Sequence, residues 1–295
     1  MDLKVKVYSL MPGWAKAVLT RAYIQTRARR EKALANSLPV ASFDDPPGTP
    51  ELVYITGFPR CGTTMMKYYL GSYPGLVQTK FDPVGFYKTW TEAQAVEEIL
   101  VDKSNHYIYS VANIFRACGS QVRLACVVRD PRDCLVSFQK YHENREVPRS
   151  ERFWRYWASM HRDFLSTVRE APVCSCVFVV RYEDLVRHPA EAKAAFLSWI
   201  GIEVDASTLD DTYTIAHEGE GWHDSVHDHR TVGGFALEKW RQADASDATL
   251  QRLLGAWREN PEAAELMALF GYAGDDLCEH SMKDEPFAVF EVPDA

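Results

Sequence analysis

The stretch "LVYITGFPRCGTTMMKYYL", residues 52–70, limits what this chain can fold into more than any other. A short apolar run ended by glycine fits a strand buried on both faces. The following "GTTMMKYYLGS" has the make-up of a helix. A loop between such a strand and helix sets backbone N–H groups at the positive end of the helix dipole, which favours an anion. Gly57 and Gly62 allow close approach of the backbone, and Thr63 and Thr64 add hydroxyl donors. The Walker pattern would place lysine where Thr63 stands. The strong cation of this loop is instead Arg60.

The rest of the chain repeats the strand–helix theme. "VRLACVVRD" reads as a second buried strand, with Pro131 opening a helix through "RDCLVSFQKY". "CSCVFVVRYEDL" reads as a third, with Cys174 and Cys176 alternating onto one face. "HPAEAKAAFLSWIG" is its helix, with Pro189 early and Gly201 at the end. "ERFWRYWASMHRDFLSTV" is a longer helix, whose Trp154 and Trp157 are assigned to the core. "DATLQRLLGAWREN" and "PEAAELMALFGY" read as closing helices. The expected fold class is α/β, a P-loop-like parallel sheet flanked by helices on both faces. Three regions follow: residues 1–48 as a helical extension (helix over 11–37) and linker, 49–275 as the main domain, and 276–295 as an acidic tail.

Net charge is −8, with 46% hydrophobic and 25% charged residues, so a general nucleic-acid binder is not expected. An anionic ligand must meet a local basic pocket. The seven cysteines form no CxxC pair, which points to a reducing, cytoplasmic setting. No apolar run is long enough for a transmembrane span. The opening "MDLKVKVYSLMPGWAKAVL" is interrupted by Lys16 and lacks a clear cleavage site, so a signal peptide is not expected.

Kinases and ATPases need magnesium, commonly held by an acid at the end of a neighbouring strand. Here the neighbouring "LACVV" strand ends in Arg129. A cation there repels a metal and welcomes a second anion, with Ser137 two turns into the next helix. The chain thus offers two phosphate sites and no evident magnesium site. A nucleotide with phosphates at both ends of its ribose fits that pair.

"GFPRCGTT", "VVRDPRDCLVSF" and "VRYEDLVRHP", in this order, resemble the sulfotransferase family, from about Val53 to about Arg241. The resemblance implies 3′-phosphoadenosine-5′-phosphosulfate (PAPS) as sulfuryl donor, with no metal. It implies 5′-phosphosulfate contacts from Arg60, Cys61, Gly62, Thr63 and Thr64, and 3′-phosphate contacts from Arg129 and Ser137. It sets Tyr182 near the adenine. "HRTVGGFALEKWR" resembles the late loop that closes on the 3′-phosphate, nominating Arg230 and then Thr231 to Gly233. Many members carry lysine at Arg60 and serine at Cys61.

Two residues compete for the acceptor's proton. Asp82, in "TKFDPVGFY", resembles the acidic base of carbohydrate-type and protein-tyrosine-type members. His106, in "VDKSNHYIYS", lies near the catalytic histidine of small-molecule types. Lys103 matches the lysine of an "EKS…Y" pattern; it orients the sulfuryl group or pairs with Asp102. "WHDSVHDHR" gathers three histidines and two aspartates, but without a helix to hold them on one face it reads as a lid, not a metal site. Two other readings stay open: a nucleotide phosphotransferase with a degenerate loop, and an inactive nucleotide-binding protein. The expected acceptor is a small molecule, a carbohydrate or lipid-like. Neither its identity nor the oligomeric state is legible.

Overall fold

The computed structural model describes residues 41, 49–79, 86–93, 95–105, 111–141, 152–169, 173–204, 209–215, 231–234, 237–243 and 245–272. The helix expected over 11–37 and the acidic tail lie outside the described residues, as does most of the linker.

Five parallel strands form one sheet in the order β2–β3–β1–β4–β5. They are β1 (Leu52–Gly57), β2 (Leu76–Gln78), β3 (Ile99–Lys103), β4 (Val122–Val128) and β5 (Val177–Arg181). All residues of β1 and β4 are buried, as their apolar runs require. Each Val, Leu or Ile so enclosed stabilises by roughly 1.5–3 kcal/mol relative to exposure, before the entropy cost. Register sets Ile55 opposite Lys103, and Gly57 opposite Val127. The C-terminal ends of β1, β3 and β4 therefore lie along one edge of the sheet. Ligands of open α/β sheets bind at that edge, where neighbouring connections diverge.

The helices of the first half are α1 (Thr63–Leu70), α2 (Phe86–Ala93), α3 (Val111–Cys118) and α4 (Pro131–Tyr141). The second half supplies α5 (Arg152–Val168), α6 (Tyr182–Arg187), α7 (Pro189–Trp199), α8 (Ala248–Gly255) and α9 (Pro261–Leu269). Asp247 and Asn260 cap α8 and α9 by accepting from Leu250 N–H and Ala263 N–H. Trp154 and Trp157 are fully buried, as expected of core residues. Trp154 Nε1 donates to Leu253 O at 2.8 Å, pinning α5 to α8.

One sequence expectation is corrected. Residues Val173–Cys176 form a 3₁₀ turn, and β5 begins at Val177. Pairing to β4 starts only at Leu124↔Val177, so the two cysteines do not alternate along a strand. β3 is an addition to the strands read from sequence, whereas the short edge strand β2 lies just ahead of Asp82, where a second strand is expected. β3, "ILVDK", carries two charges in five residues, and β2 leaves Val77 41% exposed.

Candidate active site

β1 ends in a loop that its glycines alone permit. Gly57 has φ +153°, and a Cβ there would collide with the Val127 carbonyl. Gly62 has φ +100°, and a Cβ there would enter the Tyr182 ring. These two contacts press the loop against β4 and α6. Arg60 also has positive φ, +74°, a conformation that costs a non-glycine residue about 1–2 kcal/mol. Such strain clusters at functional sites. The first α1 bond runs from Met66 N–H to Gly62 O at 3.0 Å. The amides before it have no carbonyl one turn back, so the helix start presents donors to the loop.

Around this loop the two arginines and the serine named from sequence converge. Arg60 Nε donates to Ser137 Oγ at 3.0 Å. Arg129 donates from one terminal nitrogen to Arg60 O at 3.2 Å and from the other to Asp133 Oδ2 at 2.9 Å. Its guanidinium lies 4.1 Å from the centroid of the Tyr182 ring. Arg129 is only 5% exposed and is thus held on three sides. Its Nε is buried and finds no acceptor among the described residues. A buried N–H without an acceptor costs about 1–3 kcal/mol, so an anion arriving there gains a prepared donor.

Cys61 brings a neutral thiol to the loop rather than a thiolate. Its amide is already bonded to Phe58 O at 3.1 Å, and burial pushes its thiol up to about 12, so it stays protonated. Lys103, at the end of β3, is buried near enough for its charge to act against that rise. Asp102 accepts from Thr89 Oγ1 at 2.8 Å and lies 3.7 Å from Lys67 Nζ. Its neighbour Lys103 projects to the opposite face of the sheet, as strand alternation dictates.

Two residues were missed from sequence. Asn105 Nδ2 donates to Gly57 O at 2.9 Å and Phe58 O at 3.2 Å, and its Oδ1 accepts from Thr63 Oγ1 at 3.4 Å. It ties the end of β3 to the loop and to α1. Asp133 holds Arg129 and also accepts from Trp240 N–H at 3.0 Å. Only recognising β3 could have singled out Asn105. Asp133 had a local signal, the i,i+4 spacing to Arg129.

Thr231 bridges antiparallel to Thr212, and Val232 N–H donates to Asp211 O at 2.8 Å, seating this late turn beside α6. Asp82, His106, Arg230 and the "WHDSVHDHR" histidines lie outside the described residues. Among the described residues no cluster of His, Cys, Asp or Glu suits a metal, and no helix is long and apolar enough to cross a membrane.

Residues 76–206 match the model of the sulfotransferase family. That span holds Arg129, Ser137 and Tyr182 and begins after the β1 loop. No curated protein matches the sequence. Among solved structures, the sulfotransferase domain of the Synechococcus PCC 7002 olefin synthase is similar at 18% identity and TM-score 0.53, covering 74% of this chain and 98% of that one. The sulfotransferase domain from the curacin biosynthetic pathway is similar at 16% identity and TM-score 0.51, covering 75% and 98%. A mouse sulfotransferase complexed with PAP is similar at 13% identity and TM-score 0.50, covering 82% and 94%. The chain thus has the fold of solved sulfotransferases, and its residues 76–206 match the model of that family.

Proposed function

We propose that this protein transfers a sulfuryl group from PAPS to a hydroxyl or amine of an acceptor, with residues 49–275 as the catalytic unit. The observation that carries this reading is Arg129. It is buried at the end of β4, clamped by Asp133 and Tyr182, with an unaccepted Nε–H. A kinase would need a metal-holding acid in this region, whereas a nucleotide with a 3′-phosphate needs a fixed cation. The PAP complex of the mouse neighbour supports the same donor.

In this reading the acceptor oxygen or nitrogen attacks sulfur as the bond from sulfur to the 5′-phosphate oxygen breaks. The acceptor's proton passes to Asp82 or His106. The electron pair leaves on the 5′-phosphate, releasing adenosine 3′,5′-bisphosphate. Arg60 and the amides of Gly62, Thr63 and Thr64 meet the charge that grows on that phosphate. Lys103 lies beside the transferred group. Arg129, Ser137 and Arg230 hold the 3′-phosphate, and Tyr182 flanks the base. The chemistry runs without a metal, and the acceptor is a small, carbohydrate or lipid-like molecule in the cytoplasm.

Calorimetry tests the nucleotide part. Adenosine 3′,5′-bisphosphate should bind and ATP with magnesium should not; the reverse would favour phosphoryl transfer. Incubation with PAPS and an acceptor panel, read by mass spectrometry for a gain of 80 mass units per transferred sulfuryl group, tests catalysis. Binding without any transfer or hydrolysis of PAPS would favour an inactive nucleotide-binding protein.

A further inference from the structure

Backbone pairing of β1 with β3 runs to Ile55↔Lys103, and Ser104 N–H donates to Ile55 O at 3.0 Å. Beyond that point β1 goes on pairing with β4 to Gly57↔Val127, and on its other side the Asn105 side chain takes the place of a strand. Its Nδ2 donates to Gly57 O at 2.9 Å and to Phe58 O at 3.2 Å, and its Oδ1 accepts from Thr63 Oγ1 at 3.4 Å. Resting on the assignment of this loop to the donor's 5′-phosphosulfate, we propose that Asn105 is a positioning residue for sulfuryl transfer, which holds the loop's carbonyls off the anion and so aims Arg60 and the first amides of α1.

A loop of backbone amides attracts an anion only while its carbonyl oxygens are turned elsewhere. Here protein donors hold them. Arg129 binds Arg60 O at 3.2 Å, Met66 N–H binds Gly62 O at 3.0 Å, and Asn105 binds the carbonyls of Gly57 and Phe58. Asparagine suits this place chemically. Its NH₂ group carries two donors, one for each carbonyl, and its oxygen is left to take a hydroxyl. Aspartate would set a carboxylate against both carbonyls, and serine or threonine would bring a single donor.

Phe58 O also accepts from Cys61 N–H at 3.1 Å, closing a turn over Pro59 and Arg60. Proline followed by a residue at φ +74° is the pattern of a type II turn, whose third residue is ordinarily glycine. A side chain in that conformation persists only where its surroundings fix it. Asn105 grips the carbonyl that closes the turn, and Arg60 Nε is anchored on Ser137 Oγ at 3.0 Å. Together these bonds decide where the guanidinium lies. The bond from Thr63 is of another kind. At 3.4 Å it is long for O–H···O, so an oxyanion at the start of α1 can take the hydroxyl proton over.

Calorimetry on the full chain, with adenosine 3′,5′-bisphosphate and adenosine 3′-phosphate, is the test. Asn105→Leu, close to asparagine in size but without donors or charge, should weaken the bisphosphate by about tenfold or more. It should change adenosine 3′-phosphate, which has nothing for the loop to hold, by less than about threefold. Asn105→Gln keeps the amide and should recover part of the loss. Asn105→Ala removes the same donors without bulk, and replaces the leucine variant if a melting curve shows that leucine disturbs folding. Equal losses for the two nucleotides would make Asn105 a prop for the fold and overturn the proposal, as would unchanged bisphosphate affinity without the donors. Wild type that binds the bisphosphate no better than adenosine 3′-phosphate would show instead that the loop holds no 5′-phosphate, and the proposal would fall with that assignment.

Discussion

Arg60 and Arg129 were assigned to two separate phosphates from their places in the sequence, yet in the fold they share partners. Arg60 reaches Ser137, and Arg129 holds the Arg60 carbonyl. Affinity and turnover must therefore be separated for each. Arg129→Ala should weaken adenosine 3′,5′-bisphosphate by about 2–4 kcal/mol while sparing adenosine 5′-phosphate. Equal loss for both nucleotides, by calorimetry, would show that Arg129 does not read the 3′-phosphate. Arg60→Ala should lower kcat more than it raises the donor KM, with partial rescue by lysine, because charge grows on the leaving phosphate only in the transition state. A raised KM with intact kcat would make Arg60 an anchor that works through Ser137. For the base, Asp82→Asn should nearly abolish transfer and spare bisphosphate binding, while His106→Ala keeps measurable activity. The opposite pattern would make His106 the base.

Elements meet at the site through small contacts that can be broken one at a time. The loop after β1 lies on α6 because Gly62 faces the Tyr182 ring without a side chain between them. Gly62→Ala must push Tyr182 away from Arg129 and strain a positive φ, so bisphosphate affinity should fall at least tenfold; unchanged affinity would show that this packing is incidental. Asp133 bridges α4 to the turn at Trp240 while holding Arg129. Asp133→Asn keeps the shape but removes the charge. It should weaken the 3′-phosphate contact through Arg129's orientation and leave adenosine 5′-phosphate binding alone, a selectivity that general destabilisation would not produce. The signals for these elements differed in strength. β1 and β4 are uniform apolar runs, and proline or capping residues open α4, α7, α8 and α9, so these were readable. β3 was not, because Asp102 and Lys103 break its apolar pattern; only the tertiary structure gives Asp102 its buried partners Thr89 and Lys67.

The folded chain as a whole carries a pH signature from His161, buried between Trp157, Phe58 and Phe270. Its Nδ1–H bonds the Trp157 carbonyl at 2.8 Å, and burial pulls its pKa down from 6.5 to about 4. A depressed histidine contributes stability that is present above 6.5 and lost as pH falls toward 4. Between pH 7 and 5 that loss is about 2 kcal/mol. Glu183 runs the other way: burial raises it from 4.5 to about 7, so its contribution is lost as pH rises through that range. Urea unfolding of wild type against His161→Gln across pH 5–7 isolates the first effect. The wild type should lose about 2 kcal/mol more than the variant over this interval, and parallel curves would refute the assignment. The parallel α/β class and the strand, loop and helix around Gly57 and Gly62 could be read from the chain, because strand burial and glycine-bearing turns are local properties. Strand order, the contact of Arg60 with Ser137, the bond of Asp133 to Trp240 N–H and the roles of Asn105 and His161 could not. They depend on which side chains meet across 42 to 107 residues of chain, and spacing along a sequence does not specify those meetings. Packing around β1 decides them.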